Sequence, residues 1–162
     1  MLGLLLCMSI SQDQFKEFFR HHASGVSLVT VFDKDRTPFG FTASSLASLS
    51  AEPAYATVNL AANTSTSKIV EVGSRVAIHT LSRDELALAK ELAGPREERF
   101  KSEGWNLEGL APENQKASAI LRGEVAEIHK VAESLIIVIK ADEVELGQFP
   151  ASPLIYFNRE FI

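Results

Sequence analysis

The sequence has 162 residues, 46% of them hydrophobic and 23% charged, a composition that excludes a disordered or fibrous chain and suits one globular domain. Its 16 basic and 21 acidic residues leave a net charge of -5. No run of Lys and Arg could follow a phosphate backbone, so the reading carries no nucleic-acid partner.

The opening Met1-Leu2-Gly3-Leu4-Leu5-Leu6-Cys7 lacks the basic flank of a signal sequence, and its apolar run is too short for one. Residues 1–10 read as a loose tail and residues 11–162 as a single domain. Met8 directly precedes the helical pattern and is a candidate translation start. Cys7, the one cysteine, allows no internal disulfide, reads as an inert thiol and fits a reducing, cytoplasmic location. No apolar run approaches the ~20 residues that span a bilayer, so no membrane association is expected.

Ser11-Gln12-Asp13-Gln14 has the form of a capping box, and Phe15, Phe18 and Phe19 then share a face, predicting a first helix that ends near His22. Residues 25–32 are β-branched and apolar, residues 33–38 form a polar turn, and the pattern resumes at Phe39, which predicts a hairpin. Residues 54–60 and 75–81 read as further strands, with room for only a short helix over 64–72. A second capping box, Ser82-Arg83-Asp84-Glu85, opens a helix that Gly94-Pro95 stops. Residues 96–117 show charge, glycine and little periodicity, as a surface connection or lid would. Strands follow at 120–128, 135–146 and 154–157. Many strands with few strand–helix–strand alternations predict a mainly β, antiparallel barrel with short helices.

Two segments stand out chemically. Gly40-Phe41-Thr42-Ala43-Ser44-Ser45-Leu46-Ala47-Ser48-Leu49-Ser50 concentrates small and hydroxylated side chains where a strand would carry bulk. It fits either a tightly packed strand and turn or a surface against which a flat, nucleotide-like ligand lies. Asn63-Thr64-Ser65-Thr66-Ser67-Lys68 fits an ordinary N-cap or a phosphate seat of N–H groups, hydroxyls and a cation. Having both in one small domain favours one ligand held by both. The histidines show no metal-ligand spacing: His21 and His22 are adjacent, while His79 and His129 stand alone in predicted strands. Trp105 reads as a core or lid anchor. The common dinucleotide, P-loop and hydrolase motifs are absent from the sequence.

The order of these pieces resembles the flavin reductase family built on the FMN-binding split barrel. The likeness runs from Phe15 to Phe161. It rests on Ala23-Ser24-Gly25-Val26 leading to Val29-Thr30, on Gly40-Phe41-Thr42-Ala43-Ser44-Ser45 with Ser48 and Ser50-Ala51-Glu52-Pro53, and on Asn63-Thr64-Ser65-Thr66. Ala93-Gly94-Pro95 with Arg99-Phe100, Trp105 and Pro153-Leu154-Ile155-Tyr156-Phe157 complete it. The resemblance implies a Greek-key split barrel, a homodimer, FMN (or FAD) as cofactor, NADH or NADPH as hydride donor, and a flavin-dependent monooxygenase as a partner for the reduced flavin.

It also implies site roles. Thr42, Ala43, Ser44 and Ser45 would contact the isoalloxazine and ribityl chain, with Ser48, Asn59 and Ala61 bordering the pocket. Thr64, Ser65, Thr66 and Lys68 would hold the phosphate, Arg99 and Phe100 would close over the ligand, and Tyr156 and Phe157 would complete the wall. No side chain is expected to act as a catalytic acid or base, because hydride transfer places the reactive electronics in the cofactors. Ser134-Leu135 and Phe157 stand where family members often carry histidine. A flavin-binding electron carrier or store without pyridine-nucleotide activity therefore remains the alternative.

Overall fold

The computed structural model describes residues 9–149 and 152–162; the expectations placed on Cys7 and Met8 lie outside them. Among the described residues, α1 (Gln12–Arg20) opens with the expected capping box: the Gln14 amide donates to Ser11 Oγ (3.2 Å) and the Ser11 amide to Gln14 Oε1 (2.9 Å). No residue of α1 is buried, and Phe15, Phe18 and Phe19 are each more than half exposed.

The strands follow as β1 (Ser24–Gly25), β2 (Ser27–Phe32), β3 (Pro38–Ala43), β4 (Ala47–Ala51), β5 (Ala54–Ala61) and β6 (Arg75–Thr80). A 3-10 turn at Arg83–Glu85 runs into α2 (Leu86–Ala93), with Ser82 and Glu85 forming the second capping box. Then come β7 (Trp105–Asn106), β8 (Glu113–Asn114), β9 (Ala119–Val131), β10 (Ser134–Leu146), β11 (Ile155–Phe157) and β12 (Glu160–Phe161). The predicted strands and helices are present, with β9 and β10 longer than the sequence suggested. The serine-rich run resolves into the end of β3, a short link, and β4. The helix expected over 64–72 is only a three-residue 3-10 turn, Thr66–Lys68.

The main sheet is antiparallel and seven-stranded, in the order β3-β2-β6-β9-β10-β5-β4. β3 and β4 are consecutive in the chain but lie at opposite edges, joined only by residues 44–46. Laid flat, such a sheet would hold its edges ~29 Å apart, whereas the link reaches at most ~14 Å. The sheet must therefore curl until its edges meet at that corner, which makes it a barrel.

The interior is filled by Val29, Val31, Phe39, Val58, Leu60, Val76, Ile78, Val125, Ile137 and Ile139, drawn from six strands. β2 is buried on both faces: Val29 and Val31 point inward, while Leu28 joins Leu88, Ala89 and Leu92 of α2 outside. That is why Ser27–Phe32 reads as an unbroken apolar and β-branched run. Gly123 of β9 permits the close crossing of β10, since a Cβ there would lie 2.4 Å from the Lys140 carbonyl. A small sheet, β1-β11-β12, brings the C-terminal segment back beside Ser24 and Gly25.

Candidate functional site

β3 carries two different faces. Phe39, Phe41 and Ala43 pack with the barrel core, whereas Gly40 and Thr42 turn toward α2. The Thr42 hydroxyl donates to the Ala89 carbonyl (2.6 Å), and a Cβ on Gly40 would lie 3.1 Å from Leu92 Cδ1. Helix and strand are thus fixed to each other immediately before the chain leaves the sheet.

At that exit Ser44 is exposed, and Ser45 seals the seam to β5: its Oγ accepts from the Asn59 amide (2.9 Å) and donates to the Asn59 carbonyl (3.4 Å). Beside the exit is a cleft of about 280 Å³ lined by Thr42, Ala43, Ser44, Tyr156, Val26, Ala93 and Phe161. Small side chains, two aromatic rings and three hydroxyls suit the flat part of a heteroaromatic ligand, although the volume is at the small end for a whole cofactor. Val26, Ala93 and Phe161 were not anticipated. Ala93 carried a signal in the Ala93-Gly94-Pro95 helix stop, while Phe161 reaches the cleft only through the long return of β12.

The turn after β5 is tied to itself. Thr64 Oγ1 donates to the Ala61 carbonyl (3.1 Å) and accepts from the Ser67 amide (3.1 Å), and Ser67 Oγ donates to the Ala62 and Thr64 carbonyls (2.8 Å each). With one 3-10 turn in place of a helix, little macrodipole is available. An anion here would depend on local N–H groups, the half-buried Ser65 and the exposed Lys68. Thr66 is 2% exposed and its hydroxyl donates to the Gly40 carbonyl (3.3 Å). This bond joins the two hydroxyl-bearing segments. Gly40 and Ala43 are ~10 Å apart along an extended strand, which sets the separation between this turn and the mouth of the cleft.

The remaining expected residues are spread around this centre. Asn59 and Ala61 lie exposed on β5, opposite Ile136 and Ser134 of β10. Ser48 lies on β4, on a separate apolar groove of about 350 Å³. Tyr156 lines the cleft, and its neighbour Phe157 is partly exposed on β11. Arg99 and Phe100 face the protein: Arg99 Nη1 donates to the Gly40 carbonyl (2.8 Å), and Nε and Nη2 both donate to the Gly94 carbonyl (3.0 and 2.9 Å). Burial, with Arg96 nearby, lowers the Arg99 pKa from its ordinary value. The Phe100 ring packs against Trp105, centroids 4.7 Å apart.

The connection that follows, which the sequence offered as a surface connection or lid, is fastened to the body at several points. Glu91 accepts from the amides of Lys101 and Ser102. Arg36 donates to the Gly109 and Leu107 carbonyls (2.9 and 3.0 Å). Arg122 of β9 grips Glu113 with two 2.7 Å bonds, which together with Glu145 raises the Arg122 pKa. Beneath the loop, the fully buried His79 accepts the Asn114 amide at Nε2 (3.2 Å) and meets Trp105 edge-on, as a core anchor would. Burial lowers the His79 pKa to about 4, so the ring is neutral.

The family model for the flavin reductase like domain matches residues 19–162, from the end of α1 through β12. The chain belongs to this family. Among characterised relatives, the NADH:FMN oxidoreductase of Rhodococcus qingshengii is 27% identical over 96% of this chain and 83% of its own length. The 4-hydroxyphenylacetate 3-monooxygenase reductase component of Salmonella typhimurium is 27% identical over 91% of this chain and 89% of its own. The crystal structure of a flavin reductase domain protein from Arthrobacter sp. FB24 superposes with a TM-score of 0.87 at 30% identity, covering 94% of each chain. The mainly β, antiparallel fold expected from the sequence is thereby that of the flavin reductases.

Proposed function

We propose that this flavin reductase family member binds FMN, with FAD as the possible variant, and transfers hydride to it from NADH or NADPH. The observation that carries this reading is the Thr66–Gly40 bond, which sets the hydroxyl-bearing turn beside the strand leading to the cleft. Thr42, Ala43, Ser44 and Tyr156, with Val26, Ala93 and Phe161, would hold the ring. Ser45, Asn59 and Ala61 would border the ribityl chain, and Thr64, Ser65 and Lys68 would face the phosphate, with the buried Thr66 anchoring their turn through Gly40. The fit is consistent: the cleft is narrow and largely apolar, and the turn offers a hydroxyl and an exposed cation.

Bound flavin supplies the hydride-accepting ring and passes electrons onward. The chain's part is to bind and orient it and to exclude water on the α2 side. The relatives named as NADH:FMN oxidoreductase and as a monooxygenase reductase component support this chemistry and a partner oxygenase as recipient. Absorbance of the purified protein and an FMN titration test the binding. Bleaching of the flavin band on stopped-flow mixing with NADH or NADPH tests the transfer, and absence of bleaching with both would leave the carrier reading. That second reading is favoured only by Phe157 and Leu135, apolar where a polar wall was expected.

A side chain grown into the cleft gives a sharper trial. Ala93 is exposed at its rim, so Ala93→Leu should weaken FMN binding about tenfold without lowering the melting temperature. A homodimer is part of the proposal. Leu49, Val144 and Leu146 are exposed beside the 350 Å³ apolar groove, and Phe15, Phe18 and Phe19 are exposed separately on α1; exposed apolar surface of this kind favours burial against a second copy. Light scattering would check it, with Val144→Asp expected to shift the mass toward the monomer.

A further inference from the structure

The Gly40 carbonyl is the meeting point of three segments far apart in the chain. It accepts Thr66 Oγ1 from the turn after β5 and Arg99 Nη1 from the start of the long loop. The same guanidinium grips the Gly94 carbonyl at the end of α2 with two donors. Among the described residues no carboxylate forms an ion pair with Arg99, and its guanidinium is met directly by carbonyl oxygens, with Glu97 acting only at longer range. Phe100, next in sequence, is held at φ 63°, a left-handed backbone that is strained for a bulky residue and persists only where surroundings enforce it. That geometry places the Phe100 ring over Gly40, where a Cβ would meet its Cζ at 3.1 Å and the Val29 carbonyl at 3.0 Å. Residues 99 and 100 thus close on Gly40 from both sides.

We propose that Arg99 is a positioning residue for the flavin site: acting through the Gly40 carbonyl, it locks the Thr64–Lys68 turn, strand β3 and the end of α2 into one unit, fixing the separation between phosphate seat and ring cleft. The inference rests on the proposed location of that site. The planar fork of arginine suits this arrangement because Nε and Nη2 converge on the Gly94 carbonyl while Nη1 reaches Gly40; the donors of a lysine ammonium all sit on one nitrogen and do not reproduce that spread. A residue that contacted phosphate directly as a point charge would tolerate lysine.

The experiment compares FMN with riboflavin, which lacks the phosphate, on wild-type protein, Arg99→Lys and Arg99→Met. Binding is followed by flavin fluorescence quenching, and amide hydrogen exchange is measured on the flavin-free protein. Both variants should bind FMN about tenfold more weakly, bind riboflavin within about twofold of wild type, and exchange faster across 64–69 before any flavin is added. If Arg99→Met fails to fold, Arg99→Lys carries the same comparison. Wild-type behaviour of Arg99→Lys, equal weakening of FMN and riboflavin, or unchanged exchange over 64–69 would each overturn the positioning role while leaving the site intact. Failure of wild-type protein to bind FMN would overturn the site reading and this inference with it.

Discussion

Three irregular stretches surround β3, and the long one is held in the opposite way to the two short ones. Residues 94–118 form the longer one, fixed at intervals by Arg99 on Gly94, Glu91 on the 101–102 amides, Arg36 on Leu107 and Gly109, and Arg122 on Glu113. The stretches at 44–46 and 62–68 are short and held by neutral hydroxyls: Ser45 on Asn59, Thr64 and Ser67 on their own turn, Thr66 on Gly40. Length is therefore a poor guide to mobility. Charged forks clamp the long loop, which meets the proposed site only through Arg99 on the Gly40 carbonyl, while weaker bonds hold the segments assigned to ligand.

The largest test of this contrast is acid. His79 is fully buried with its pKa lowered to about 4 from an ordinary 6.5, so the unfolded chain takes up this proton first. Stability should fall as pH drops from about 6.5 and lose about 3 kcal/mol by pH 4, below which the histidine contributes no further change. Denaturant unfolding across that range checks it, and His79→Gln should flatten the slope. Next comes the ion pair on the loop's far side. Arg122 and Glu113 have side chains only 20% and 14% exposed, so Arg122→Met should cost about 2 kcal/mol, between the values of surface and buried pairs. Ser45→Ala should cost about 1 kcal/mol, because it leaves the Asn59 amide without its partner at the barrel seam. The smallest effect is at Arg36, which is exposed: Arg36→Ala should leave the melting point nearly unchanged yet speed amide exchange over 107–111.

Where side-chain chemistry is local, the sequence was readable. The two capping boxes start their helices where Ser11 and Ser82 stand, and the β-branched runs at Ser27–Phe32 and Arg75–Thr80 became strands buried on both faces. β4 was obscure because Ala47–Ala51 is small, polar and largely exposed at a sheet edge, with a register shift between Ser48 and Ser50. The residues around the cleft were partly legible, since Thr42, Ala43, Ser44 and Tyr156 meet there. The contacts of Arg99 were not: Gly40 is 59 positions away, and nothing near Arg99 in the chain signals a carbonyl partner. The fastening of the long loop was hidden for the same reason, because the groups that hold it come from β9, α2 and the β2–β3 turn.

The three-residue corner between Ala43 and Ala47 has a practical consequence for anyone wishing to retarget this protein toward other ligands. Because one short tether shapes the mouth of the cleft and also draws the outer strands together, randomising it would trade selectivity against foldability at every position. Variation is better directed to Ala93 and Phe161, which face the same cleft from elements that carry no such closure duty.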